Sequence, residues 1–103
     1  MTTTISKIRI EILVDAPLVR RVTELAESAG VTGYTLMPTV AGSGSGGRWR
    51  DDQVSGAQSK LVFVTITGPR RAEALIEALK PVLDSHGLML TKSAVEVVRG
   101  DRF

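Results

Sequence analysis

From Lys7 to Val14 the chain reads KIRIEILV, with Ile8, Ile10, Ile12 and Val14 alternating with Lys7, Arg9 and Glu11. A period of two predicts a strand. Asp15 and Ala16 then turn the chain, and Pro17 suits a first helical position, where its missing N–H costs nothing. Asp15 or Ala16 is the expected cap, Asp15 being the better suited by its carboxylate. Leu18, Val22, Leu25, Ala26 and Ala29 recur at helical spacing on one face, whereas Arg20, Arg21, Glu24 and Glu27 lie off it. Gly30 is a normal helix stop. Thr32 to Val40 carries strand formers, and Pro38 confines that strand to a sheet edge.

The second half repeats the order. Lys60 to Thr67, KLVFVTIT, is a near-continuous apolar strand, and Gly68-Pro69 turns it. Ala72, Leu75, Ile76, Leu79, Val82 and Leu83 follow helical spacing, with Pro81 expected to kink that helix or end its first part. Ser85, His86 and Gly87 close it, and Leu88 to Arg99 reads as a final strand. Two split βαβ units predict an α+β fold, a ferredoxin-like βαββαβ sandwich forming a single domain over residues 1–103, with both helices on one sheet face. Leu61, Val62, Phe63, Val64 and Ile66 place apolar groups on both faces of the third strand. A one-sided sheet does not need that. Either other subunits partly bury the second face, or these are harmless exposed valines; Lys7, Arg9 and Glu11 keep that face from being uniformly apolar.

Composition narrows the function. There are 103 residues, 43% hydrophobic and 23% charged, which excludes a disordered tail. No apolar run reaches the roughly 20 residues of a membrane span. Met1 to Thr4 is polar and leads straight into a strand, which argues against a signal peptide and for a cytoplasmic protein. Zero Cys removes disulfides, thiolate zinc sites and Cys nucleophiles, and one His leaves little for metal or triad chemistry. His86 beside a helix end is better placed to meet the helix carbonyls than a metal. A formal charge of +2, from 13 basic and 11 acidic residues, does not announce a nucleic-acid binder. Paired acid and base residues for catalysis are not evident, so no enzyme is expected and no catalytic residue is assigned.

Ala41 to Ala57, AGSGSGGRWRDDQVSGA, stands where a short turn would suffice. Its Gly42, Gly44, Gly46, Gly47 and Gly56 predict a flexible loop without regular structure. Loops of this length inside compact domains are usually functional or disordered. It carries the chain's one Trp, as Arg48-Trp49-Arg50. Trp49 either anchors an interface or folds back on the body. Gly42-Ser43-Gly44 follows a strand, but no apolar-periodic helix follows and no Gly-Lys-Ser/Thr occurs, so neither a Rossmann nor a Walker A loop is present. Successive glycine amides could still wrap an anion that Arg48 and Arg50 neutralise. Asp51 and Asp52 are adjacent and point opposite ways on an extended chain, which argues against a metal pair.

The order βαβ, long loop, βαβ, with Gly30-Val31-Thr32-Gly33-Tyr34-Thr35 entering the second strand, resembles the PII signalling proteins. Gly33-Tyr34-Thr35, Gly42 and Gly44, the loop arginines, and the ending Ser93-Ala94-Val95-Glu96-Val97 with Gly100 and Phe103 are more similar to a PII-like branch. That branch is associated with carboxysomes and bicarbonate transport (the CPII and SbtB-like proteins). The resemblance implies a homotrimer that binds adenine nucleotides in the clefts between subunits: ADP or AMP, with cyclic AMP a further candidate. It implies bicarbonate as a second effector, and residues 41–57 as a T-loop that engages a target protein such as a bicarbonate transporter or carboxysome component. On that match Gly33, Tyr34 and Thr35 border the nucleotide, Gly42 and Gly44 form the loop base near phosphate, and Arg48 and Arg50 hold phosphate or bicarbonate. Gly87 and Leu88 match the turn before the last strand, and Arg99 and Arg102 the basic C-terminal residues.

The departures are informative. The family's phosphate-binding turn, Thr-Gly-x-x-Gly-Asp-Gly-Lys, is reduced here to Ser85-His86-Gly87-Leu88, which favours nucleotides with fewer phosphates over ATP. The loop contains no Tyr, so uridylylation there is excluded. The expected function is a sensor of nucleotide and inorganic carbon. The alternatives are a classical nitrogen regulator, a ferredoxin-like RNA-binding module, a small enzyme subunit or a metal-tolerance trimer. The RNA reading lacks aromatics on the central strands, where only Phe63 qualifies.

Overall fold

The computed structural model describes residues 3–44, 46–50 and 59–98. The elements in order are β1 (Thr4–Asp15), a 3₁₀ turn (Ala16–Leu18), α1 (Val19–Ser28), β2 (Thr35–Pro38), β3 (Ala41–Gly44), β4 (Gly47–Arg50), β5 (Lys60–Thr67), α2 (Pro69–His86) and β6 (Leu90–Val98). Four strands form an antiparallel sheet in the order β2-β5-β1-β6, while β3 and β4 form a separate two-stranded hairpin. This is the predicted α+β, ferredoxin-like arrangement, with β2 at an edge where Pro38 removes no ladder bond from a central strand.

The register explains the alternation. Ile8, Ile10, Ile12 and Val14 lie opposite Thr67, Thr65, Phe63 and Leu61, so these residues share the helix-covered face. Ile10, Ile12, Val14 and Phe63 pack there with Val22 and Ala26 of α1 and Ala72, Leu75 and Leu79 of α2. Each large apolar side chain so buried contributes about 1.5–3 kcal/mol. The opposite face carries Leu13, Val62, Val64 and Ile66, flanked by Met37 on β2. An Arg9–Glu11 ion pair at 2.9 Å crosses it.

Several local expectations change. The helix begins with a 3₁₀ turn at Ala16, and Asp15 makes no side-chain cap. Its carboxylate instead accepts a 2.6 Å bond from Nζ of Lys60, its register partner on β5. The second strand is Thr35–Pro38 and not 32–40, because residues 31–34 peel away from β5. α2 runs through Pro81 without ending there. Pro81 is exposed, so water can satisfy the carbonyl one turn back that loses its donor. Gly87 closes α2 in the left-handed region at φ 63°, and the Leu88 N–H bonds to the Leu83 carbonyl at 3.0 Å. The last strand starts at Leu90, not Leu88.

The largest correction concerns the glycine-rich segment. Its first part is regular structure, the β3–β4 hairpin, with Gly42 opposite Trp49 and Gly44 opposite Gly47. Composition alone predicted no such order. Residues 51–57 of the expected loop lie outside the described residues.

Candidate functional site

Two grooves flank the open sheet face and share no lining residue. The first, about 510 Å³, exists because β2 is short. β2 pairs with β5 only as far as Val64, so the β5 edge from Thr65 to Thr67 is left facing the irregular segment 31–34. Val31, Thr32, Gly33, Tyr34 and Thr35 form one wall, Val64 to Thr67 the other, and Arg71 of α2 closes an end. Two interactions tie the walls to each other and to the core. Oγ1 of Thr65 donates to the Gly33 carbonyl at 2.6 Å, and the Tyr34 ring stacks on the buried Phe63 at 5.2 Å between centroids.

The second groove, about 490 Å³, lies over the other end of the open face. Glu11, Leu13, Asp15, Lys60, Val62 and Thr91 form its floor. The hairpin makes one wall through Ser43, Gly44, Gly46, Gly47 and Trp49, and the end of α2 with the turn after it makes the other through His86, Gly87, Leu88 and Met89. The hairpin wall is held by a clasp around Trp49, which is only 8% exposed. Its indole N–H donates to Oγ1 of Thr39 at 2.9 Å, and that hydroxyl donates to the Lys60 carbonyl at 2.7 Å. Nζ of Lys60 sits 5.0 Å from the indole centroid. Gly42 is required by this packing, since a Cβ there would overlap Cζ2 and Cη2 of the indole. Trp49 therefore folds back on the body; it is not an exposed interface anchor.

The residues singled out by sequence are divided between these places. Gly33, Tyr34 and Thr35 line the first groove, and Gly44, Gly87 and Leu88 the second. Gly42 lies beneath the indole. Arg48 and Arg50 are exposed, alternate with Trp49 along β4 and line neither groove. Arg99 and Arg102 lie outside the described residues. Sequence reading missed Thr65, Thr67 and Arg71 in the first groove, and Thr39, Asp15 and Lys60 in the clasp of the second. Thr65 and Thr67 carried a usable signal, polar residues at inward positions of an otherwise apolar strand. Arg71 carried none, being one more charge off the apolar face of a helix. No group of three or more His, Cys, Asp or Glu able to hold a metal occurs among the described residues, and no helix there is long and apolar enough to cross a membrane.

Residues 7–102 match the family model described as nitrogen regulatory protein P-II. No curated protein matches the chain. Among solved structures, the chain resembles CPII from Thiomonas intermedia K12, a nitrogen regulatory PII-like protein bound to ADP, AMP and bicarbonate. The TM-score is 0.89 at 20% identity, over 100% of this chain and 98% of that one. The same protein bound to ADP and bicarbonate gives 0.87 at 20% identity, covering 100% and 99%. The GlnK–ATP complex of B. subtilis gives 0.61 at 13% identity, covering 87% and 82%. At these identities the likeness is one of fold.

Proposed function

The chain belongs to the nitrogen regulatory protein P-II family and is a PII-like regulatory protein, and from that premise we propose that it binds adenine nucleotides in clefts between the subunits of a homotrimer. In this reading ADP and AMP are the ligands, with cyclic AMP a further candidate, and bicarbonate is the second effector. The protein reports inorganic-carbon status, without catalysis, through the arm that begins at β3. Its kin are then the carboxysome-associated, SbtB-like branch, and its place is the cytoplasm beside a bicarbonate transporter or carboxysome component.

One observation carries the reading. The two grooves flank a sheet face that bears Leu13, Val62, Val64, Ile66 and Met37, and no helix covers it among the described residues. A second copy laid on that face would bury the apolar stripe and turn both open grooves into enclosed inter-subunit clefts. The site residues assigned by resemblance would then meet across a boundary: Gly33, Tyr34 and Thr35 on one side, Gly44, Gly87 and Leu88 on the other. Arg48 and Arg50, on the outer face of the hairpin, and Arg99 and Arg102 would complete the phosphate and bicarbonate contacts. The link from α2 to β6 is only Gly87, Leu88 and Met89, which leaves no loop to wrap a triphosphate. That supports ADP and AMP over ATP, and a carbon sensor over a classical nitrogen regulator. In CPII the bound ligands are ADP, AMP and bicarbonate.

Calorimetric titration with ADP and AMP, with and without bicarbonate, tests this directly. Binding of either nucleotide, tightened by bicarbonate, is expected, and thermodynamic linkage requires the nucleotide to tighten bicarbonate by the same factor. No heat from any adenine nucleotide refutes the sensing function. A monomer by analytical ultracentrifugation removes the clefts.

A further inference from the structure

We propose that Arg71 holds an oxyanion in the groove between residues 31–35 and the β5 edge, adding a charged contact to the ligand cleft. The inference rests on the reading of that groove as part of a nucleotide site.

Charge accounting points to it. Among the groove's lining residues Arg71 is the one charged side chain, and none is a carboxylate. Arg71 takes part in none of the ion pairs found among the described residues, which are Arg9–Glu11, Lys60–Asp15 and Lys80–Glu77. The second groove is the opposite case. Its lysine, Lys60, is already neutralised by Asp15 at 2.6 Å, and its Glu11 is held by Arg9. An anion entering there meets spent charge and a carboxylate floor. An anion entering the first groove meets a guanidinium that no carboxylate pairs among the described residues.

The position of Arg71 is also prepared. It stands in the first turn of α2, and its stem lies over Gly30, with Nε 3.7 Å from the place a Cβ would occupy. Gly30 ends α1 at φ +89°, so the guanidinium lies beside a helix C-terminus, whose partial negative charge favours a cation. The neighbouring hydroxyls divide by role. That of Thr65 is committed to the Gly33 carbonyl, whereas those of Thr32 and Thr35 belong to exposed residues on the same wall. A planar fork of donors with hydroxyls beside it matches the oxygens of a phosphate or a bicarbonate. The oxyanion is either the phosphate of the bound nucleotide or a free bicarbonate beside it.

The test is calorimetric titration of the wild type, Arg71→Gln and Arg71→Lys with AMP, with adenosine, and with adenosine plus bicarbonate. Loss of a charge-assisted contact predicts that Arg71→Gln weakens AMP by about tenfold to a hundredfold while adenosine changes by about twofold or less. That pattern assigns the phosphate. Loss instead of the bicarbonate-dependent gain in adenosine affinity assigns the free anion. Arg71→Lys, which keeps charge without the fork, should recover part of either effect. Unchanged AMP and bicarbonate binding in Arg71→Gln overturns the proposal. So do equal losses for AMP and adenosine with a lowered melting temperature, which would mark a structural role. A wild type that binds no adenine compound brings down the nucleotide reading itself, and needs no variant to reveal it.

Discussion

The two grooves have nearly equal volumes, about 510 and 490 Å³, yet they are held in different ways. The first is cut into the sheet edge above the core. Its walls are anchored by Phe63, which is fully buried, by the stacked Tyr34, and by the Thr65 hydroxyl gripping Gly33. The second has one wall that is a two-stranded hairpin outside the main sheet. An isolated hairpin is marginal in water, so this wall depends on one tryptophan and its clasp. A groove anchored in the core keeps its shape whether or not a ligand is present. A groove closed by a clasp can be opened at small cost, which is what a switching arm needs. On the proposed reading the division of labour would follow: the first groove would select the ligand and the second would respond to it.

The largest effects should separate the two by scale. Phe63→Ala removes the fully buried core ring on which Tyr34 of the first groove stacks, and should destabilise the whole domain by about 3–5 kcal/mol. Trp49→Ala removes a side chain of greater size, but the damage should stay local. Amide hydrogen exchange in residues 41–50 should approach unfolded rates, while the core strands β1 and β5 keep most of their protection. If Trp49→Ala lowers the thermal midpoint as far as Phe63→Ala does, the hairpin is part of the cooperative core and the contrast fails.

This asymmetry also explains what the sequence could and could not reveal. Leu75 and Leu79, or Ile10 and Ile12, announce themselves through period, because burial against one continuous core repeats along the chain. The strand Lys60–Thr67 is legible for the same reason. Gly42 and Trp49 are seven positions apart, and each alone carries the wrong message: the glycine suggests flexibility and the tryptophan an interface. Only their pairing across the hairpin makes the glycine a seat for the indole. Asp15 was misread likewise, because the lysine that takes its carboxylate comes from a distant strand, opposite in register. The candidate site was legible as segments, 33–35 and 87–88, but not as grooves. Which sheet face and which edge a segment lines is a property of the register, not of local spacing.

A matched pair of threonine substitutions sharpens the comparison at lower energy. Thr65→Val removes the donor to the Gly33 carbonyl, which sits on an exposed residue that water can reach, and should cost about 0.5–1.5 kcal/mol of global stability. Thr39→Val removes the acceptor for the indole N–H and the donor to the Lys60 carbonyl. Its cost should appear in the arm, as a red-shifted emission of Trp49, the chain's one tryptophan, and faster exchange in β3 and β4, with little change in the thermal midpoint. The reverse assignment, with Thr39→Val global and Thr65→Val silent, would exchange the roles of the two grooves.

The smallest effect decides what kind of clasp this is. Lys60 touches the arm in two ways: its backbone carbonyl accepts from both N and Oγ1 of Thr39, and its ammonium lies over the indole while bonding Asp15. Lys60→Met keeps the backbone contacts and most of the stem, and deletes only the charge. Asp15 is 37% exposed and can return to water, so no buried charge is stranded. A cation–π contact at such a site contributes about 0.5–1 kcal/mol and a partly exposed ion pair about 0–1 kcal/mol. The Trp49 emission of Lys60→Met should therefore stay close to wild type. Raising the salt concentration, which screens the same charges, should move wild type no further than the substitution does. An arm released by Lys60→Met as fully as by Thr39→Val would mean that charge, not indole packing, closes the second groove. The arm's position would then follow ionic strength as well as ligand.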